Sequence, residues 1–136
     1  MHPNAAGLVD GDVTRRVIGA FYVVYNELGV GFLEAVYRNA LAVELRDGGV
    51  DVTVEAPIVV HYKRRPVGHY RADLLVDRRV VVELKATERL HPSARAQLRH
   101  YLRATGLTVG LLLHVGERPS VLRVDEPCRK NEPETA

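Results

Sequence analysis

The five-residue run at positions 80–84, Val-Val-Val-Glu-Leu, limits the fold more than any other stretch of the chain. Its apolar residues are consecutive, not alternating, so it reads as a strand covered on both faces and central in a sheet. The flanking sequence supplies the layers such a strand needs. Asp12 or Thr14 can cap a first helix in which Val17, Ile18, Phe21, Val24, Tyr25 and Leu28 recur at helical spacing, until Gly29 and Gly31 break it. A second helical pattern runs from about Phe32 to Arg46 and stops at Gly48 and Gly49.

The period then changes. Val50, Val52 and Val54 alternate, and residues 58–62 and 67–76 are β-rich runs on either side of 63–66, which predicts three or so antiparallel strands. Pro92 can open a third helix that Gly106 ends, followed by a buried strand over 109–115 and a short edge strand over 121–124. This order predicts an α/β fold with a mixed central β-sheet flanked by helices. The domain is expected over 13–124, with a flexible N-terminus at 1–12 and a disordered tail at 125–136.

Composition narrows the class. A hydrophobic content of 46% supports a core without disulfides, and the single cysteine, Cys128, cannot form a disulfide framework or a paired-thiolate site within one subunit. No apolar run approaches the roughly 20 residues of a membrane span, and the first residues lack the pattern of a secretory leader. A cytoplasmic protein is the expectation. Nineteen Lys and Arg against seventeen Asp and Glu leave a net charge of +2, too little to argue for nucleic-acid binding. Locally, 61–71 holds Lys63, Arg64, Arg65 and Arg71 without an acidic residue, which makes either a positive ridge or a solvated hairpin tip.

The chemistry lies in charges placed where a core tolerates few. Glu83 and Lys85 are two apart in the most apolar strand and project from one face. If Asp77, Arg78 and Arg79 form a three-residue connection, Val76 pairs with Val80, Asp73 falls opposite Glu83, and Arg71 falls opposite Lys85. A loop one residue shorter or longer would put Asp73 on the other face. Two carboxylates across a strand pair repel one another unless a cation sits between them, and oxygen ligands of this kind suit Mg²⁺ or Mn²⁺. With a lysine beside that cation the arrangement suits phosphodiester hydrolysis. An ordinary salt bridge from Asp73 or Glu83 to Lys85 is the alternative.

Asp73, followed after nine residues by Glu83-Leu84-Lys85 between an earlier and a later helix, resembles the core of the PD-(D/E)XK nuclease superfamily. The segment Gly31-Phe32-Leu33-Glu34-Ala35-Val36-Tyr37 matches the pattern of the GxxExxY family within it. Gln97-Leu98-Arg99-His100-Tyr101 is similar to the Gln-x-x-x-Tyr element of related branches, and the two outer residues share a helix face. The resemblance runs from about Val13 to Gly116. It departs at His114 and Val115, where the family has an asparagine and an aromatic residue, and at Ala94, where a histidine is usual.

The resemblance implies an αβββαβ restriction-endonuclease-like core. It also implies a Mg²⁺-dependent nuclease acting on nucleic acid, with DNA the expected substrate. Asp73, Glu83, the Leu84 carbonyl and Glu34 would be metal ligands, and Lys85 would position the attacking water. Gln97, Tyr101 and Arg71 would contact substrate or support the site. The plainer alternatives are a solvent-facing Glu34, a Tyr101 packed in the core and a Gln97 on the surface. A catalytically silent nucleic-acid-binding or partner-binding module on the same fold, or a purely structural subunit, also fits. A domain this small gains specificity from a partner or a second copy, and a homodimer is the expectation.

Overall fold

The alternation of apolar side chains along the helices decides how the layers stack. The computed structural model describes residues 8–127, so Cys128, most of the expected tail and the first seven residues lie outside the described residues. Helix α1, Gly11–Leu28, buries Val13, Val17, Phe21 and Val24 along one stripe. It starts two residues inside the segment expected to be flexible. Helix α2, Glu34–Asp47, buries Tyr37, Leu41, Ala42 and Leu45. Both helices cover one face of the sheet, in a core completed by Val80, Val82, Leu84, Leu111 and Leu113.

The sheet has five strands in the order β1-β2-β3-β4-β5, which are Val52–Tyr62, Arg65–Val76, Val80–Lys85, Val109–Val115 and Pro119–Asp125. All pairs are antiparallel except β3 with β4, so the sheet is mixed as expected. Strand β3 is central and its first five residues are buried. Helix α3, Ser93–Thr105, covers the opposite face, with Leu98 and Leu102 packed among Val81, Leu112 and Val124. The absence of a side chain at Gly110 of β4 permits this close approach, because a Cβ there would lie 2.9 Å from Leu98.

Two details differ from the sequence reading. Residues 50–54 and 58–62 do not form separate strands: β1 is one eleven-residue strand, and Pro57 is accommodated because β1 lies at the sheet edge. Besides a register shift between Val60 and His61, the β1–β2 ladder is interrupted at a position where both strands leave a residue unpaired. Pairing runs through Val54 with Leu74 and resumes at Ala56 with Ala72, leaving out Glu55 and Asp73, and Glu55 has φ of 52°. Leu74 belongs to the α1–α2 core and Ala72 to the α3 core, although residues two apart share a face in a regular strand. The two strands therefore exchange faces at Glu55 and Asp73.

Candidate active site

The β2–β3 turn fixes which side chains can meet. Val76 pairs with Val80 across the connection Asp77-Arg78-Arg79, with Asp77 and Arg78 at positive φ and the Arg79 N–H donating to the Val76 carbonyl at 3.0 Å. The regular ladder ends at Leu74 with Val82. At the next position side chains replace main-chain partners: the Asp73 N–H donates to Glu83 Oε1 at 3.1 Å, and the Leu84 N–H donates to Asp73 Oδ2 at 2.7 Å. Each carboxylate is thus held by the backbone of the other's strand.

This arrangement places two acids side by side in a dry setting. Glu83 is 5% exposed, and burial first, then the charge of Asp73, pushes its carboxyl from 4.5 up to about 8. The Lys85 ammonium opposes this weakly, and among the described residues Lys85 forms no ion pair with either carboxylate. The salt-bridge alternative is therefore not the geometry found. Asp73 and Glu83 offer hard oxygen donors to a divalent cation, and Mg²⁺ is commonly held by one or two carboxylates with water and substrate phosphate completing its shell. Among the described residues no three His, Cys, Asp or Glu side chains gather closely enough to hold a metal. Two carboxylates from neighbouring strands fit the smaller requirement.

Glu34 arrives from the other layer. It stands in the first turn of α2, half-buried, with the Ala86 N–H donating to its Oε2 at 3.4 Å just beyond Lys85. The rest of its motif explains how it gets there. Gly31 has φ of 109°, which a side chain would strain, and the buried Tyr37 closes the α1–α2 corner. The Tyr37 hydroxyl donates to the Gly29 carbonyl at 2.6 Å and accepts the Phe32 N–H at 3.2 Å. The glycine and tyrosine of the motif thus build the corner from which Glu34 projects.

On the α3 side, Tyr101 is buried, and its phenol pKa is raised by burial and then by the charges of Glu83, Tyr70 and Asp73. Gln97 is exposed, lines a groove with Tyr101 and, among the described residues, makes no hydrogen bond to either carboxylate. Arg71 lies beyond the exchange of faces and reaches Glu55 at 3.9 Å, while Arg38 of α2 holds the same Glu55 at 3.2 Å. Ladder pairing therefore does not carry Arg71 opposite Lys85.

Three residues near the site escaped the sequence reading. Tyr70 packs on Tyr101 with ring centroids 5.7 Å apart, Glu55 is left out of the β1–β2 ladder together with Asp73, and His114 pairs in register with Lys85. His114 Nε2 also lies 2.7 Å from the Thr87 carbonyl, tying down the chain that leaves β3. Only His114 carried a signal, as a departure from the family pattern.

Comparison with known proteins agrees with this architecture. The sequence model described as the PD-(D/E)XK nuclease superfamily matches residues 11–124. No curated protein matches the chain. A solved structure described as "Crystal structure of SSO0001" is similar in fold, with a TM-score of 0.52 at 18% identity. The match covers 87% of this chain and 59% of that one, so this chain spans less than two thirds of the protein it resembles.

Proposed function

This chain belongs to the PD-(D/E)XK nuclease superfamily, and from that premise we propose that it is a metal-dependent nuclease of the GxxExxY branch. It hydrolyses phosphodiester bonds of nucleic acid, DNA first among them, in the cytoplasm. The observation that carries this reading is the crossed pair of hydrogen bonds at the end of the β2–β3 ladder. It holds Asp73 and Glu83 together against their mutual charge, with Lys85 on the same strand face.

Mg²⁺ or Mn²⁺ bound by Asp73, Glu83 and the Leu84 carbonyl, with Glu34 drawn in to complete the shell or holding a second ion, would polarise a phosphate oxygen and acidify a water. The protein's own part is positioning. Asp73 and Glu83 are fixed by the backbone amides of Leu84 and of Asp73 itself, so little rearrangement is needed when substrate arrives. Lys85 orients the attacking water and stabilises charge developing on the phosphate. Tyr101 and Gln97 on α3 and Arg71 on β2 support the carboxylates or touch substrate.

The test is incubation of the protein with single- and double-stranded DNA and RNA in Mg²⁺ or Mn²⁺, with the Asp73→Asn variant alongside. Metal-dependent cleavage by the parent and none by the variant supports the reading. Binding without cleavage in either metal would make the protein a silent binding module on a nuclease fold.

A further inference from the structure

Beside the carboxylates, a groove of about 730 Å³ runs between α3 and the distal half of the β1–β2 hairpin. Its walls include Tyr70 and His61 from the hairpin and Ser93, Gln97, His100 and Tyr101 from α3. Past Glu55 and Asp73 the hairpin leaves β3 behind. The β2–β3 ladder spans only Leu74 to Val76 of β2, whereas β1 and β2 remain paired out to Tyr62 and Arg65. The hairpin is therefore an arm, and α3 is the helix packed against it.

The charge on this arm has one sign. Residues 58–71 carry Lys63, Arg64, Arg65 and Arg71 with no acid, and α3 carries Arg95, Arg99 and Arg103 with no acid. No groove-lining residue is acidic. Arg71 is tied to Glu55 and Arg103 to Glu126, and neither Arg95 nor Arg99 lines the groove, so among the described residues the cations left for a ligand on this side are those of the tip, where the Lys63 ammonium lies 5.5 Å from the centre of the Tyr62 ring. A polyanion is the complementary partner.

Tyr70 adds a second requirement. It is 50% exposed, yet its ring packs on the buried ring of Tyr101. A half-exposed aromatic ring backed by a fixed neighbour is a platform for a planar group, and an unpaired nucleobase supplies one. A base inside a duplex is stacked on its own neighbours and has no free face to offer. The groove also leads inward to Tyr101, which feels the charges of Glu83 and Asp73.

We propose that this groove binds a single strand of nucleic acid, with phosphates along the basic hairpin tip and an unpaired base stacked on Tyr70, delivering the strand to Asp73 and Glu83. The delivery step rests on the nuclease reading, whereas the binding does not.

The experiment measures fluorescence anisotropy of labelled DNA and RNA 12-mers, single-stranded and blunt duplex, in EDTA so that cleavage plays no part. The parent should bind one of the single strands at least about tenfold more tightly than the matching duplex, and DNA against RNA identifies the strand. Tyr70→Leu, which keeps an apolar neighbour for Tyr101, should weaken single-strand binding about tenfold, the effect expected for removing one base stack, while Tyr70→Phe should keep it. Replacing Lys63, Arg64 and Arg65 together with Ala should reduce the slope of log K against log salt by about 2, at about 0.7 for each phosphate no longer neutralised. Duplex bound as tightly as single strand, or Tyr70→Leu binding like the parent, overturns the proposal. Single-strand preference in a parent that cleaves nothing with Mg²⁺ or Mn²⁺ upholds the groove and overturns the nuclease reading.

Discussion

Glu83→Gln should change how the metal-free protein responds to pH. The Glu83 carboxyl titrates near 4.5 in the unfolded chain and at about 8 in the folded one, because burial and then the charge of Asp73 disfavour its ionised form. Below the lower value both states hold the proton and the site has no effect on stability. Between the two values the folded state keeps a proton that the unfolded state has released, so stability falls as pH rises, by roughly 1.4 kcal/mol per unit. Above the upper value both states are ionised and the loss is constant. Over the whole window from 4.5 to about 8 this amounts to an upper bound on the order of 5 kcal/mol, which relaxation of the site will reduce. A glutamine can still accept the Asp73 N–H through Oε1 but does not titrate. Urea denaturation in EDTA of parent and variant, in steps from about pH 5 to about pH 9, isolates the effect, since every other titration is common to both. The stability of the variant relative to the parent should climb through this range and level off near its top. A difference that stays flat, or a parent that gains on the variant as pH rises, would refute the reasoning.

Further outcomes follow from the same geometry. Asp73→Asn should abolish cleavage and, above the pH of about 8 at which Glu83 ionises, leave the metal-free protein as stable as the parent or more so by about 1 kcal/mol, because Oδ1 can still accept the Leu84 N–H while a charge that repels the Glu83 carboxylate is gone. In thermal melts the parent should gain stability on adding Mn²⁺ and this variant much less, whereas a variant strongly destabilised in EDTA would instead make Asp73 a structural partner of Lys85. Lys85→Ala should retain Mn²⁺ binding by calorimetry while losing cleavage. Tyr37→Phe should cost about 1–2 kcal/mol in denaturation, since it strands the Gly29 carbonyl and the Phe32 N–H at the corner that carries Glu34, and cleavage should fall with it. Gly110→Ala should cost about 1–3 kcal/mol by pushing Leu98 and α3 off the sheet.

How far the sequence could be read depended on whether a feature was local. The meeting of Asp73 with Glu83 was legible because side chains alternate with a period of two, so counting residues through a three-residue turn fixes the register. The central place of β3 followed from the consecutive valines, which only a doubly covered strand can bury. The exchange of faces at Glu55 was not legible, since positive φ is uncommon at a glutamate and nothing local demands it. It is stabilised by Arg38, seventeen residues away on another element. For the same reason the counting that worked for Asp73 failed for Arg71, two residues farther along β2. Tyr70 was hidden as one residue in an alternating strand, because its importance comes from Tyr101 on a helix that packs there only in the folded chain.

The most direct measurement is an anomalous difference map from a crystal of the parent protein soaked in Mn²⁺. The nuclease reading requires a peak within coordination distance of both Asp73 and Glu83, beside Lys85 and on the side that Glu34 approaches. A peak elsewhere, or none at Asp73 and Glu83 while the protein cleaves nucleic acid in the same concentration of Mn²⁺, would contradict it.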